Sequence, residues 1–388
     1  MALPDKTPIA RRTPVVLAAL TAIAVVAFIL VSRLVTRYRA NERQVAWHVF
    51  EQGQRSFRSG NPARAIDDFR TALFYDPDNS RYQLELARAL RDSGKPGSLD
   101  EAASYLTALW QGKPEDGVIN LALARLAVRR DSLPDALRYY HNAIYGAWDS
   151  DPDSNRRSAR FELIHFLMQR KAYAQAESEL INISQSMPPD PALHLQVAGL
   201  YAAIADYDRA ISAYNQVLKL DPQNAAALAG AGNTAFQLGR YRTAQEYLTR
   251  AVEADPTDSQ SHHSLETANL VLTADPFRRR ITDAERDRRL LAAFDAAGKR
   301  LQACALSNHV DLRNPISPAN PLQTLQSSWD ALNPRLRNLR SSLDTDLPDN
   351  IMDLVAQIER QASQQCGPPA GLDLALLLIS RDRDTVDQ

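Results

Sequence analysis

The chain has 388 residues, a net charge of −1, 23% charged and 45% hydrophobic residues, 14 glycines and two cysteines. So even a balance excludes a global electrostatic pull toward nucleic acid or acidic lipid, and so few glycines disfavour loop-rich or β-rich architectures. The length accommodates an apolar anchor, one long helical array and a further helical unit.

A short tail, 1–13, precedes an uncharged run from Thr13 to Ser32 rich in Ala, Val, Leu and Ile. At about 1.5 Å per residue, roughly 20 such residues reach about 30 Å, the thickness of a hydrocarbon core. A transmembrane helix is therefore expected over 14–35. No small-x-small cleavage pattern precedes Arg33, so an uncleaved span is expected. Its sidedness is close to a tie: Lys6, Arg11 and Arg12 flank one end, and Arg33, Arg37, Arg39 and Arg43 the other.

From Ala46 to Asp258 an alanine, a large ring or leucine, and a proline recur with a period of about 34 residues. The ladder reads Ala65, Phe69, Ala72, Pro77, then Ala102, Leu106, Leu109, Pro114. Ala136, Tyr140 and Ala143 follow, with Trp148 in the place of proline. The last three rungs are Ala176, Leu180, Ile183, Pro188; Ala210, Tyr214, Val217, Pro222; and Ala244, Leu248, Ala251, Pro256. Each unit reads as two amphipathic helices: small residues admit a close neighbour, large ones fill the gap between hairpins, and Asp-Pro stops the second helix. Six units are expected, over 46–79, 80–116, 117–150, 157–190, 191–224 and 225–258, with Lys95 to Gly97 as an insertion and Asp149 to Asn155 as a linker.

On these residues the chain resembles the tetratricopeptide repeat family. The match is closest in AIADYDRAISAYNQVLKLDPQN (Ala203 to Asn224) and GAGNTAFQLGRYRTAQEYLTRAVEADPTD (Gly230 to Asp258). The resemblance implies an all-α, right-handed superhelical solenoid of helical hairpins. It also assigns Gly53, Ala87, Ala124, Ala198 and Gly232 as packing positions, with Ile164 breaking the pattern. Its first helices line a concave groove, which carries Trp47, Phe50, Phe57, Arg58, Arg81, Arg88, Arg91, Arg125 and Arg129 onto the early groove and His165 and Asn233 onto the later one. So many arginines suit an acidic peptide, because guanidinium forms bidentate bonds to carboxylates.

A capping helix is expected over 259–274, covering the apolar end that a terminal repeat exposes. A helical C-terminal domain is expected over 277–388. Its first helix has Thr282 as cap, Glu285 completing a capping box, and Leu290, Phe294, Ala297, Leu301 and Cys304 on one face. A loop carries Pro315, Pro318 and Pro321. Helices follow from Leu322 to Leu343, interrupted at Pro334, and from Asn350 to Gln365. Leu374 to Ile379 suits a core helix or a strand. Cys304 and Cys366 suit either one disulfide in an exported domain or a pair of buried thiols. The first alternative favours a soluble part outside the cytoplasmic membrane.

Nothing in the motifs calls for catalysis, a metal or a cofactor. His262-His263 is a lone pair of adjacent residues pointing about 100° apart, and no His-Glu-x-x-His, paired Cys-x-x-Cys or phosphate loop occurs. Arg278-Arg279-Arg280 reads as a solvated charge run or a docking surface. The expected function is a membrane-anchored, non-catalytic scaffold of bacterial-envelope type that binds protein or peptide in its groove. The alternatives are an enzyme with its site in the C-terminal unit, or a homo-oligomeric structural element.

Overall fold

Two short polar signals repeat along this chain and set its helix boundaries. Asp76, Asp221 and Asp255 each close a helix in the same extended conformation, donating their N–H to the carbonyls of Ala72, Val217 and Ala251. Three residues later Asn79, Asn224 and Asp258 cap the next helix, accepting from its first N–H groups. Within hairpins the turn is a paired 6→1 and 5→2 closure with a left-handed residue. Gly60 and Gly239 occupy it, and so do Asp131, Lys171 and Ala205.

The result, a computed structural model, describes residues 12–313, 320–336 and 346–386. Residues 1–11 of the expected tail 1–13, Pro315, Pro318 and the 337–343 end of the expected 322–343 helix lie outside the described residues. Seventeen helices are present among the described residues, with one isolated bridge, Asp116 to Ala147, and no strand. The chain is an all-α array of stacked hairpins.

The first compact unit runs to Glu179. It comprises α1 (Arg12–Arg58), α2 (Pro62–Tyr75), α3 (Ser80–Asp92), α4 (Ser98–Gly112), α5 (Gly117–Arg129), α6 (Leu133–Tyr145), α7 (Pro152–Gln169) and the start of α8 (Tyr173–Gln185). The expected linker 149–155 is partly helical, since α7 starts at Pro152, where proline suits a first turn. Where the ladder carries Trp148 in place of proline, its indole donates to the Ala143 carbonyl at 2.9 Å and so ends α6 by a side chain.

The second unit begins at Leu180. It contains α9 (Pro191–Ala203), α10 (Tyr207–Leu220), α11 (Ala225–Gln237), α12 (Tyr241–Ala254) and α13 (Ser259–Ala274), then α14 (Asp283–Ser307), α15 (Pro321–Leu336), α16 (Leu347–Cys366) and α17 (Gly371–Val386). Leu374 to Ile379 lies in α17, and Pro334 sits inside α15 near its end rather than interrupting it. The C-terminal helices share one apolar core with Tyr241, Ala268 and Val271 of the last hairpin and α13. The compact boundary accordingly falls within α8 and not at the change of periodicity near Phe277. Cys304 and Cys366 are joined in a disulfide linking α14 to α16, with Cα atoms 5.6 Å apart. Thr282 caps α14, but only half of a capping box forms, because Glu285 turns instead to Arg288 and Arg289.

Every rung of the alanine ladder is buried: Ala65, Ala102, Ala136, Ala176, Ala210 and Ala244, with Phe69, Leu106, Tyr140, Leu180, Tyr214 and Leu248, are at most 9% exposed. Close approach explains the small residues. A Cβ at Gly53 would stand 2.7 Å from the Phe69 ring, and one at Gly232 2.6 Å from Leu248 Cγ.

Candidate binding face

In the first unit α1 packs on α3 and α3 on α5, and in the second α9 packs on α11 and α11 on α13. The first helices of successive hairpins therefore touch each other directly and form the inner layer of each stack. The sequence-derived groove residues lie on these helices, but they do not share one environment.

Trp47 is 39% exposed at the start of the repeats, and the Arg81 guanidinium stands over its ring at 5.4 Å. A cation so placed is attracted to the ring's negative face. Phe50 is a correction to the expected groove. It is fully buried, stacked on Tyr82 at 4.5 Å and tilted against Phe69, and so is core. Phe57 is half-buried against the same core. Arg58 and Arg129 are exposed near the ends of α1 and α5.

The remaining arginines are neutralised from within the chain. Arg88 Nη1 meets Glu85 at 2.7 Å, and Arg91 forks onto Asp92. Arg125 forms a two-pronged bond to Glu162 of α7, at 2.9 and 2.6 Å. The Tyr140 hydroxyl lies behind this last pair, 3.5 Å from Glu162. Burial, and then the charge on Glu162, push its pKa well up. The Arg125–Glu162 pair ties α5 to α7, the other two pairs lie within α3, and together they engage three of the arginines expected in the groove. The acidic partners sit one or three residues away on the same helix, or 37 residues on, too dispersed to stand out as a pattern.

His165 is exposed on α7, its Nδ1 2.6 Å from the Phe161 carbonyl, while Asn233 is half-buried on α11. They lie in different compact units. The second unit holds a pocket of about 390 Å³ that the sequence reading missed, walled by Ile181, Met187, Val197, Tyr201 and Ala213 between α8, α9 and α10. Its residues come from three helices, so no linear motif marks it. Among the described residues no group of three or more His, Cys, Asp or Glu is placed to hold a metal ion. His262 Nε2 donates to the Pro256 carbonyl at 3.1 Å, in the loop before α13.

The family model for the tetratricopeptide repeat matches residues 50–117 and again 205–268, over helices whose ladder positions are buried as described. Those two stretches are tetratricopeptide repeats. Such repeats are modules of protein–protein interaction. A curated relative, the bacteriophage adsorption protein A of Escherichia coli strain K12, is 29% identical over 112 residues. That match covers 27% of this chain and 11% of the relative, so the chain spans about a tenth of the relative's length. The C-terminal part of a tetratricopeptide repeat-containing protein from Cytophaga hutchinsonii is similar at 14% identity and a TM-score of 0.44, over 62% of this chain and 92% of that one. YrrB, described as a tetratricopeptide repeat protein with an unusual peptide-binding site, is similar at 17% identity and a TM-score of 0.38, over 50% of this chain and 96% of its own.

At the other end of the first hairpin, α1 continues without a break into the apolar run. Val16, Leu17, Leu20, Ile23, Phe28, Leu30 and Leu34 are all more than half exposed. This is one helix, among the described residues, long and apolar enough to cross a membrane.

Proposed function

We propose that this chain is a membrane-anchored scaffold: α1 holds the repeats beside a bilayer, and their inner layer captures an extended segment of a partner protein. The observation that carries the binding half is the exposed Trp47 under the Arg81 guanidinium, on helices whose neighbouring positions are core. A large ring left exposed on an inner helix offers apolar area at little entropic cost, and arginine beside it favours a carboxylate near an apolar residue. Preference for an acidic segment rests on Arg58, Arg81 and Arg129, since Arg88, Arg91 and Arg125 already hold carboxylates of the chain itself.

The anchoring half is supported by exposed aliphatic residues along α1, which water would not solvate without cost. Confinement at a bilayer raises the effective concentration of the repeats toward membrane-proximal partners. The disulfide between Cys304 and Cys366 favours an extracytoplasmic location for the repeats, because such bonds persist in oxidising compartments.

Photo-crosslinking residues placed in turn at Trp47, Arg81 and Arg129, and as controls at the exposed Arg64 and Phe74 of α2, test the binding half. Adducts to one partner band are expected from the first set alone. Equal adducts from α2, or none from the inner helices, overturn it.

A further inference from the structure

The run Arg278-Arg279-Arg280 finds a place in the second unit that the inner layer does not explain. A cleft of about 1300 Å³ opens there between the start of α12, the end of α13, the loop after it, and α16. Arg240 at the N-cap of α12 and Arg242 in its first turn line it, with Arg278 and Arg279 from the loop.

These arginines are not equivalent. Arg240 is committed to Asp208 at 2.9 Å, and Arg278 donates to the Leu272 carbonyl at 2.9 Å. Arg242 and Arg279 are exposed, and neither has an ion-pair partner among the described residues. The loop that presents Arg279 is held in place. Arg289 donates to the carbonyls of Asp275 and Leu272, at 2.8 and 3.2 Å, and is itself gripped by Glu285 at 2.8 Å. Asp275 in turn accepts from the Phe277 N–H at 2.9 Å. Arg240, at the N-cap of α12, makes no side-chain cap, so the first N–H groups of that helix add positive potential to the same wall.

The opposite wall has a different character. Asp349, Asp353 and Arg360 of α16 line the cleft, and each is already engaged within the chain. Asp349 and Asp353, with Asp275, set carboxylates against any continuous polyanion. A ligand with separate carboxylates spaced by neutral residues avoids that repulsion. The partly exposed Phe277 ring and Leu272 beside the arginines supply an apolar contact for such neutral residues.

We propose that this cleft binds an acidic segment of a partner protein, its carboxylates held by Arg242 and Arg279 and its apolar flank lying on Phe277 and Leu272. The site is separate from the inner layer of the first unit, and it does not depend on that layer binding anything. Two surfaces of one chain then engage a partner, or two partners, at separate points.

The test uses the full chain in detergent and a fluorescein-labelled twelve-residue peptide with four glutamates interspersed among leucines. Saturable binding is expected, weakening as salt rises because both arginines are exposed. Arg242→Glu with Arg279→Glu should weaken it at least tenfold, and Arg242→Gln with Arg279→Gln by less. Both pairs should leave the thermal midpoint unchanged, since neither side chain supports the fold. All of these measurements are made in an Arg81→Glu, Arg129→Glu background, so that the inner layer of the first unit does not contribute, and adding Arg64→Glu on α2 should leave this binding intact. Loss of binding in that last variant instead, equal affinity in the cleft variants, or tighter binding of a single-stranded oligonucleotide at the same arginines would each overturn the proposal.

Discussion

Glu359 is fully buried on α16, and neither carboxylate oxygen has a hydrogen-bond partner among the described residues. Burial, followed by the nearby Asp373 carboxylate of α17, raises its pKa to about 8, against an opposing pull from Arg300 of α14. Asp373 is also raised, chiefly by burial, although Arg300 Nε stands 3.7 Å away. That guanidinium is further occupied by the Gly367 carbonyl at 2.9 Å. The sign follows from linkage: the folded state keeps a proton that the unfolded glutamate releases near its ordinary value of 4.5. Stability from this group is therefore complete below that value and is lost as pH rises toward about 8, at up to about 1.4 kcal/mol per pH unit. Urea midpoints at pH 5 and pH 8 should show the fall, and Glu359→Gln should flatten it. A slope of equal size in that variant would place the titrating group elsewhere. No spacing in the sequence announces Glu359, because its environment is assembled from three helices, one of them, α14, some way back in the chain. The left-handed turn positions were equally hidden. Gly60 and Gly239 are legible as turn residues, but Lys171 and Ala205 adopt the same conformation only because the packed hairpin imposes it.

Among the elements, α1 departs most from its reading. A span over 14–35 and a repeat starting at 46 leave ten residues between them, yet the helix runs unbroken from Arg12 to Arg58. The intervening Thr36 to Val45 segment contains neither proline nor glycine, and nothing in it stops a helix. The hairpins themselves were legible because a 34-residue repeat places every packing residue in register six times. The groove was only half legible. Which face looks inward follows from the repeat, but whether an arginine is free depends on an acid one hairpin away, as with Arg125 and Glu162. If α1 anchors the chain as proposed, its continuity makes it a stiff link to the hairpins rather than a slack tether. Spin labels at Arg33→Cys and Gln52→Cys, 19 residues apart, should give one narrow distance near about 28 Å. Ala40→Pro should broaden or bend that distribution while leaving the melting of the repeats unaltered. A broad distribution in the parent chain would show the link to be slack.

At the scale of the whole molecule, the disulfide is placed where the array no longer supplies order by repetition. In the hairpins each helix is fixed by neighbours on both sides, whereas α14 to α17 follow no period, and their core is closed by the last repeat and by the bond between Cys304 and Cys366. That bond spans 62 residues. Closing a loop of this length restricts the unfolded chain and contributes roughly 2 to 4 kcal/mol. Reduction should therefore act unevenly. Amide exchange in α14 to α17 should quicken by one to three powers of ten, in proportion to that free energy, while α2 to α6 of the first compact unit should keep their protection. Uniform loosening of both units would mean that the two fold as one, and no change would mean that the bond constrains nothing. The same pair of thiols reports the side of the membrane. In intact cells a thiol reagent should label them only after reduction if the repeats lie in an oxidising compartment. Ready labelling without reductant would place them where thiols are kept reduced, and the partner sought for both binding surfaces would then be cytoplasmic.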